Sequence, residues 1–364
     1  MKIKNIIQII VITVIALNSC NRDEVFDREQ YKTTVSIISS GAYNISEQAF
    51  QYTDIEAAEA KEEWIKGFIS VNTGGALETT KDIILEFVVD ESLVTNYNNN
   101  IYYTDSYKYA QVLSRDRYQI EDYSVVIPAG QRQTNVEIFM RLEGLTNDTV
   151  YFIPLRIASS SSYELNQNKA TVLYRPVFRN KFVTGEYATY SQIAQWAPGA
   201  STDATPTDAN PVYYDANESK RVFPITSNKV RLYAGKIPWR DADAGTIAIF
   251  QKSITFTVAN HQDEKGFYKV EYDSFDIPER GVRLRAPRGN VTITDDEGNT
   301  TTENVELTDD FYNNTYELWF DGFESYYHTF RLYYEYWDAV SESTPKWVRI
   351  KEELRFQHQI TIPK

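Results

Sequence analysis

Three places in this 364-residue chain set an indole beside groups that can hydrogen-bond a sugar hydroxyl. Trp239 follows Pro238 and precedes Arg240, Asp241 and Asp243. Trp196 opens a turn-rich stretch that ends in Tyr213 and Tyr214, and Trp337 is followed by Asp338. A ring laid on the apolar C–H face of a pyranose, with carboxylate, amide or guanidinium groups meeting its hydroxyls, is enough to bind a neutral oligosaccharide. The competing reading of each ring is packing against its own sheet.

Other chemistries find little material. His261, His328 and His358 are the three histidines, and their spacing forms no zinc motif. No Gly-x-Ser-x-Gly elbow and no glycine-rich phosphate loop occurs. The eight aspartates at 203, 208, 241, 243, 295, 296, 309 and 310 lack the spacing and closing glutamate of a calcium loop, so they read as turn formers. Glycoside hydrolysis needs two carboxylates. Asp321-Gly322-Phe323-Glu324 is the nearest fragment, but no run of alternating acids precedes it, and Asp-Gly is a hairpin dipeptide. No catalytic residue, metal or cofactor is therefore expected, and the chain reads as a binding protein without enzyme activity.

The elements that must carry these rings are strands. Twenty-seven tyrosines and 18 phenylalanines bias the chain to β structure. In the first half, Val136, Ile138 and Met140 alternate with polar residues after the turn Pro128-Ala129-Gly130, as in an antiparallel pair with one buried face. About seven short strands in this half predict an immunoglobulin-like β-sandwich. Helix is expected only locally, over Ile55 to Trp64 and Glu91 to Asn98. Beyond Phe178 the composition shifts, with five of the six tryptophans, and a polar stretch from Ala197 to Asn217 reads as a long exposed loop. Strands then resume, including Tyr268 to Tyr272, Tyr316 to Phe320, Thr329 to Trp337 and Trp347 to Phe356. In the third of these, Phe330, Leu332, Tyr334 and Tyr336 share the core face, while Arg331, Tyr333, Glu335 and Trp337 share a face that is either solvated or a binding platform. The fold class is all-β: a sandwich over 31–178 and a second antiparallel β-barrel or sandwich over 179–364.

The amino terminus predicts a lipid anchor. Lys2 and Lys4, an apolar run from Ile6 to Leu17 and the small Ser19 lead to Cys20, the chain's one cysteine. That run is shorter than the ~20 residues needed to span a bilayer. Residues 1–19 are expected to be removed, and residues 20–30 to tether the protein through the acylated Cys20 thiol. With 51 acidic against 37 basic residues, the net charge of −14 repels nucleic acid and anionic lipid, and suits a neutral or cationic ligand.

An ordered set of motifs carries a family resemblance. Asp82-Ile83-Ile84-Leu85-Glu86-Phe87-Val88-Val89-Asp90 comes first, then Leu93-Val94, Tyr97-Asn98 and Tyr118. Val126-Ile127-Pro128-Ala129-Gly130, Gly144-Leu145 and Tyr151-Phe152-Ile153-Pro154-Leu155-Arg156-Ile157 follow. In this order, over about 31–178, they resemble the N-terminal domain of lipoproteins encoded beside Sus-like glycan uptake systems. That domain also stands ahead of family 18 endoglycosidase modules. The segment after it is similar to the C-terminal β domain that often accompanies it, and Asn21-Arg22-Asp23-Glu24 resembles the export signal of surface lipoproteins. The resemblance implies an outer-membrane lipoprotein, facing the cell exterior, that captures oligosaccharide or polysaccharide for an uptake complex. A cell-surface adhesion or assembly protein with a protein partner is the alternative class.

Overall fold

The computed structural model describes residues 32–75, 79–183, 186–189, 193–196, 206, 211–214, 219–235, 253–273, 283–338 and 346–358. Two β bodies with separate apolar cores make up the molecule.

The first contains β1 (Thr34–Ile37), β2 (Ile45–Gln51), β3 (Ile65–Gly74), β4 (Ile83–Val89), β5 (Gln111–Val112), β6 (Tyr118–Gln119), β7 (Ser124–Ile127), β8 (Gln133–Met140), β9 (Tyr151–Ser160), β10 (Glu164–Leu165) and β11 (Thr171–Arg179). One sheet runs β10-β1-β3-β8-β6; the other runs β2-β11-β9-β4-β7, with β5 alongside β9. Val35, Ile37, Ile69, Val71, Val136 and Ile138 face Ile83, Leu85, Leu155, Ile157 and Val172 across the sandwich, each almost fully buried. The period-two pattern sends Val136, Ile138 and Met140 inward and leaves Glu137 outside, paired with Lys66.

The sequence pattern does not reveal β2. Ile-Ser-Glu-Gln-Ala-Phe-Gln is too polar to read as a strand, yet it pairs in parallel with β11 from Leu173↔Ile45 to Arg179↔Gln51. Helix α1 (Tyr52–Glu59) follows it directly and begins earlier than the alanines suggest. Tyr52 and Ile55, one turn apart, bury into the core, and the Tyr52 hydroxyl donates to Leu145 O at 2.9 Å. Glu62 takes a left-handed φ of 56° as the chain turns into β3. Helix α2 (Ser92–Ile101) buries Val94 and Asn98.

The second body contains β12 (Glu186–Thr189), β13 (Ile193–Trp196), β14 (Val212–Tyr214), β15 (Ser219–Pro224), β16 (Lys229–Tyr233), β17 (Ser253–Gln262), β18 (Tyr268–Tyr272), β19 (Leu284–Arg285), β20 (Arg288–Thr294), β21 (Thr300–Glu306), β22 (Thr315–Phe320), β23 (Tyr326–Asp338) and β24 (Lys346–His358). The antiparallel order β12-β15-β16-β17-β18-β22-β23-β24 closes on itself, because β24 pairs with both β23 and β12. The result is a barrel, which removes sheet edges. Val230, Leu232, Ile254, Phe256, Phe330, Leu332, Tyr334, Ile350 and Leu354 fill its interior.

One ion pair sits inside that apolar filling. Glu352 accepts from the Tyr334 hydroxyl and from Lys220 Nζ, both at 2.7 Å, and the same hydroxyl accepts from Gly235 N at 2.9 Å. Gly235 has a φ of 50°, and a Cβ there would lie 2.9 Å from Ile350 Cδ1, so the close approach requires glycine. Outside the ring, β13 and β14 pair with each other and β13 with β24, while β20 and β21 form a separate two-stranded ribbon. The ribbon turns at Asp295–Asn299, where Gly298 has a φ of 84°.

Fixed polar contacts join the two bodies. Asp148 pairs with Arg231, and Ser227 N donates to Glu56 Oε1 at 2.8 Å.

Candidate functional site

The two long strands β23 and β24 put unlike chemistry on their two faces. Inside the barrel lies the predicted apolar set. Outside, Arg331, Tyr333, Glu335 and Trp337 stand in register with Glu353, Lys351, Arg349 and Trp347. This outer face is not a solvated sheet. Glu335 is fully buried and accepts from Arg349 Nε at 3.0 Å, Arg285 Nε at 2.7 Å and Arg288 N at 3.1 Å. Arg331 Nε donates to Glu353 Oε2 at 2.7 Å. Buried ions of this kind persist when their lone pairs and protons are matched, and both Glu335 oxygens are.

A groove opens where this ladder meets the connection from β21 to β22. Its cavity of about 470 Å³ is floored by Tyr272, Tyr312 and Tyr333, with Asn313 and Asn314 between them. Glu306 to Asp309 form one wall and Lys269 to Glu271 of β18 the other. Two residues shape the connection. Asp309 Oδ1 accepts from the amides of Phe311 (2.9 Å) and Tyr312 (2.8 Å), closing a tight turn. Asn314 takes a left-handed φ of 54°, which Asn tolerates better than most residues. Its Oδ1 accepts from Tyr333 N at 2.8 Å, and its Nδ2 donates to Tyr333 O at 3.0 Å and to the Tyr272 hydroxyl at 2.5 Å. The Tyr272 hydroxyl and the Tyr333 backbone, from strands distant in sequence, are thereby tied to one side chain. Tyr312 is half-buried and Asn313 exposed, so the groove presents ring surface and amide together.

Lys351 ties this groove to β13. Its Nζ donates to Asp309 Oδ2 at 2.5 Å and lies 4.5 Å from the Tyr333 ring centre, 5.6 Å from that of Trp196 and 5.9 Å from that of Tyr312. Burial works to raise the Asp309 pKa. The Lys351 ammonium and the Tyr312 and Phe311 amides outweigh it and hold the carboxyl below its ordinary range. Burial pushes the Tyr272 phenol well above its usual value, with the nearby Glu306 carboxylate adding to the effect, so it stays a neutral hydroxyl.

Of the residues singled out in the sequence, Trp196 is brought to this region, half-buried against Tyr333 at a ring-centre distance of 6.5 Å. Tyr213 and Tyr214 pair with Ala194 and Ile193, so they belong to a strand where the sequence suggests the end of a loop. Trp337 lies on the same outer face as Trp196, with the Arg283 guanidinium 4.7 Å from its ring centre and Trp347 edge-on at 5.4 Å. Asp338 is buried and partnered. Trp239, Arg240, Asp241 and Cys20 lie outside the described residues. Tyr272, Tyr312, Asn313 and Asn314 escape the sequence reading, which starts from tryptophan; the run Asp309-Asp310-Phe311-Tyr312-Asn313-Asn314, aromatic and amide-rich between strands, is the signal that points to them. Among the described residues, no group of three or more His, Cys, Asp or Glu side chains is placed to hold a metal ion.

Comparisons place this architecture among known ones. A protein of unknown function from Bacteroides ovatus superposes with a TM-score of 0.60 at 17% identity, over 92% of this chain and 98% of its own. A multidomain Bacteroides ovatus protein that includes a domain of unknown function gives 0.56 at 17% identity, over 90% and 95%. A structure from Bacteroides thetaiotaomicron described as an auxiliary nutrient binding protein gives 0.52 at 14% identity, over 88% and 93%. At these identities the likeness is one of fold. No curated protein matches the sequence. A paired set of family models does match, an N-terminal-domain model over residues 29–164 and the corresponding C-terminal model over residues 170–355. The chain belongs to the two-domain family these models describe, the family its ordered motifs resemble, with an immunoglobulin-like first domain and a β domain behind it.

Proposed function

We propose that this protein is a non-catalytic glycan-binding lipoprotein, held at the outer membrane through Cys20, that captures oligosaccharide in the Tyr272–Tyr312–Tyr333 groove for a neighbouring uptake complex. The observation that carries the reading is the groove. The half-buried Tyr312 ring and the exposed Asn313 amide, backed by the Tyr272 and Tyr333 side chains and flanked by Glu271, Glu306 and Asp309, line a space of about 470 Å³ that offers both ring surface and polar partners to a sugar. The structural relative described as an auxiliary nutrient binding protein supports a role of this general kind. In this account the first domain is a spacer, and Trp196, seated over Lys351, extends the ring surface at one end of the groove.

A glycan-array screen of residues 21–364 tests it, with Tyr312→Ala and Trp196→Ala beside the parent. Selective binding to one glycan class that falls in Tyr312→Ala is the expected result; a silent array from folded protein counts against capture.

One feature favours a second reading, adhesion or assembly with a protein partner. At the β22–β23 turn, Leu318, Phe320, Phe323 and Tyr326 are all exposed, Phe323 at 85%. An apolar tip of this kind is a common protein contact. Copurification of a protein that sugar does not displace, lost on Phe323→Ser, would bring that reading forward.

A further inference from the structure

The charges lining the groove are unequally committed. Lys269 is paired with Glu271 at 2.9 Å. Lys351, behind the ring floor, is held by Asp309 at 2.5 Å and by three aromatic rings. Arg331, on the same barrel face, is divided between Glu317 and Glu353. Arg288 stands opposite Glu306 in the β20–β21 register, but its guanidinium donates to Asn304 Oδ1 at 2.6 Å and Asn304 O at 2.7 Å. Glu306 itself is exposed on the groove wall, and among the described residues its carboxylate has no hydrogen-bond or ion-pair partner. The groove therefore presents three carboxylates and one ammonium, and the carboxylate left over sits at the end of β21.

From this arrangement, and resting on the capture reading above, we infer that the groove sorts oligosaccharides by charge. It takes amino-sugar chains best and neutral chains next, it turns away uronate- or sialate-bearing ones, and Glu306 sets the discrimination. The physical term is Coulombic. A ligand charge about 7 Å from Glu306, at an effective dielectric of roughly 40 to 80, changes affinity about three- to tenfold. An interaction through partly wet space of this kind is screened by salt, so the discrimination fades at ~0.5 M ionic strength, where the screening length is about 4 Å.

Isothermal titration of residues 21–364 at low salt tests this with two matched pairs. The first is tetraglucosamine against N-acetylchitotetraose, and the second is tetragalacturonate against its methyl ester. The glycan selected on an array, compared with its sialylated or uronate-bearing form, serves as a third. Expected is an affinity order of amino over neutral over acidic, each step about three- to tenfold, shrinking toward one at ~0.5 M salt. In Glu306→Gln the steps contract to about twofold or less, and in Glu306→Lys the order reverses. A purely structural role for Glu306 would not move these ratios. Equal affinity across a pair, or ratios unchanged in Glu306→Gln, overturns the charge inference while capture stands. Failure of these probes and of the array glycans to bind folded protein overturns both.

Discussion

The first domain keeps its core free of charge: among its described residues the buried polar residues are Thr33, Asn44, Thr73, Thr79 and Asn98, and the buried Asp148 side chain lies at the contact with the barrel, paired with Arg231. The barrel buries Lys220, Arg231, Arg331, Glu335, Asp338, Arg349, Glu352 and Glu353. A sandwich that only has to stand up can be filled with aliphatic side chains, and apolar filling is the cheaper way to stability. Buried ion pairs hold polar groups in fixed positions at an energetic cost, so they are informative where they cluster. In this molecule half of them, Arg331, Glu335, Arg349 and Glu353, lie together on the outer face of β23 and β24, beside the tyrosine groove. The difference teaches that one domain is built for rigidity and the other for a prearranged polar surface.

The comparison is broken most forcefully at Glu335. Truncating it to alanine strands the buried Arg349 guanidinium and takes the ion-pair partner from the half-buried Arg285. Chemical denaturation should register a loss of about 3–5 kcal/mol. The matching test in the sandwich is Leu85→Ala, a fully buried aliphatic, expected to cost about 3 kcal/mol through the cavity it leaves. A loss under about 1 kcal/mol in Glu335→Ala would mean that the charged ladder is ornament and the domains are held alike.

Acid sharpens the contrast, because the three histidines all lie beyond residue 178. His328 is buried, with Nδ1 2.7 Å from the Tyr316 hydroxyl and Nε2 3.0 Å from His358 Nδ1. Burial, with the charges of His358 and Lys181, pushes its pKa down from 6.5 to about 4. Between those values the unfolded chain takes up a proton that the folded barrel refuses. Barrel stability is therefore intact above pH 6.5 and falls by about 3 kcal/mol as the pH drops to 4. Denaturation midpoints followed from pH 7 to 4 should show this slope, and His328→Gln should flatten it.

Smaller still is the expected effect at the groove. Tyr312→Ala removes a half-buried ring and should weaken glycan binding about tenfold, about 1.4 kcal/mol, with little change in melting temperature. Tyr103→Ala in the first domain removes a ring that is 74% exposed and should leave affinity unchanged. Equal losses from both would mean that ring exposure alone, not the groove, governs binding.

Much of this architecture is legible where a strand has one wet face. The alternation in Val136-Glu137-Ile138 is read from spacing because burial period and side-chain period coincide, and the Asp321-Gly322 turn from its dipeptide; in β23 spacing separates the two faces but does not show that both are buried. Strand β2 is hidden because its half-exposed position lets it carry Ser46, Glu47 and Gln48. Barrel closure is hidden because it depends on pairing between β12 and β24, more than 150 residues apart, which local pattern does not encode. The site is the least legible part. Tyr272, Tyr312 and Tyr333 look like strand and turn residues one at a time; the Asn314 side chain, bonded to Tyr272 and to both backbone groups of Tyr333, and the Asp309 carboxylate, bonded to Tyr312 N, bring them to one groove. A search led by tryptophan reaches the edge of that surface at Trp196 and stops there.

The most direct test of the central claim, that glycan is held in the barrel's tyrosine groove, is hydrogen exchange on the folded chain with and without the glycan an array selects. The account predicts slowed exchange at the amides of 269–272 and 306–314, with the first domain unchanged. Slowing confined to the first domain, or to the β22–β23 turn, would contradict it.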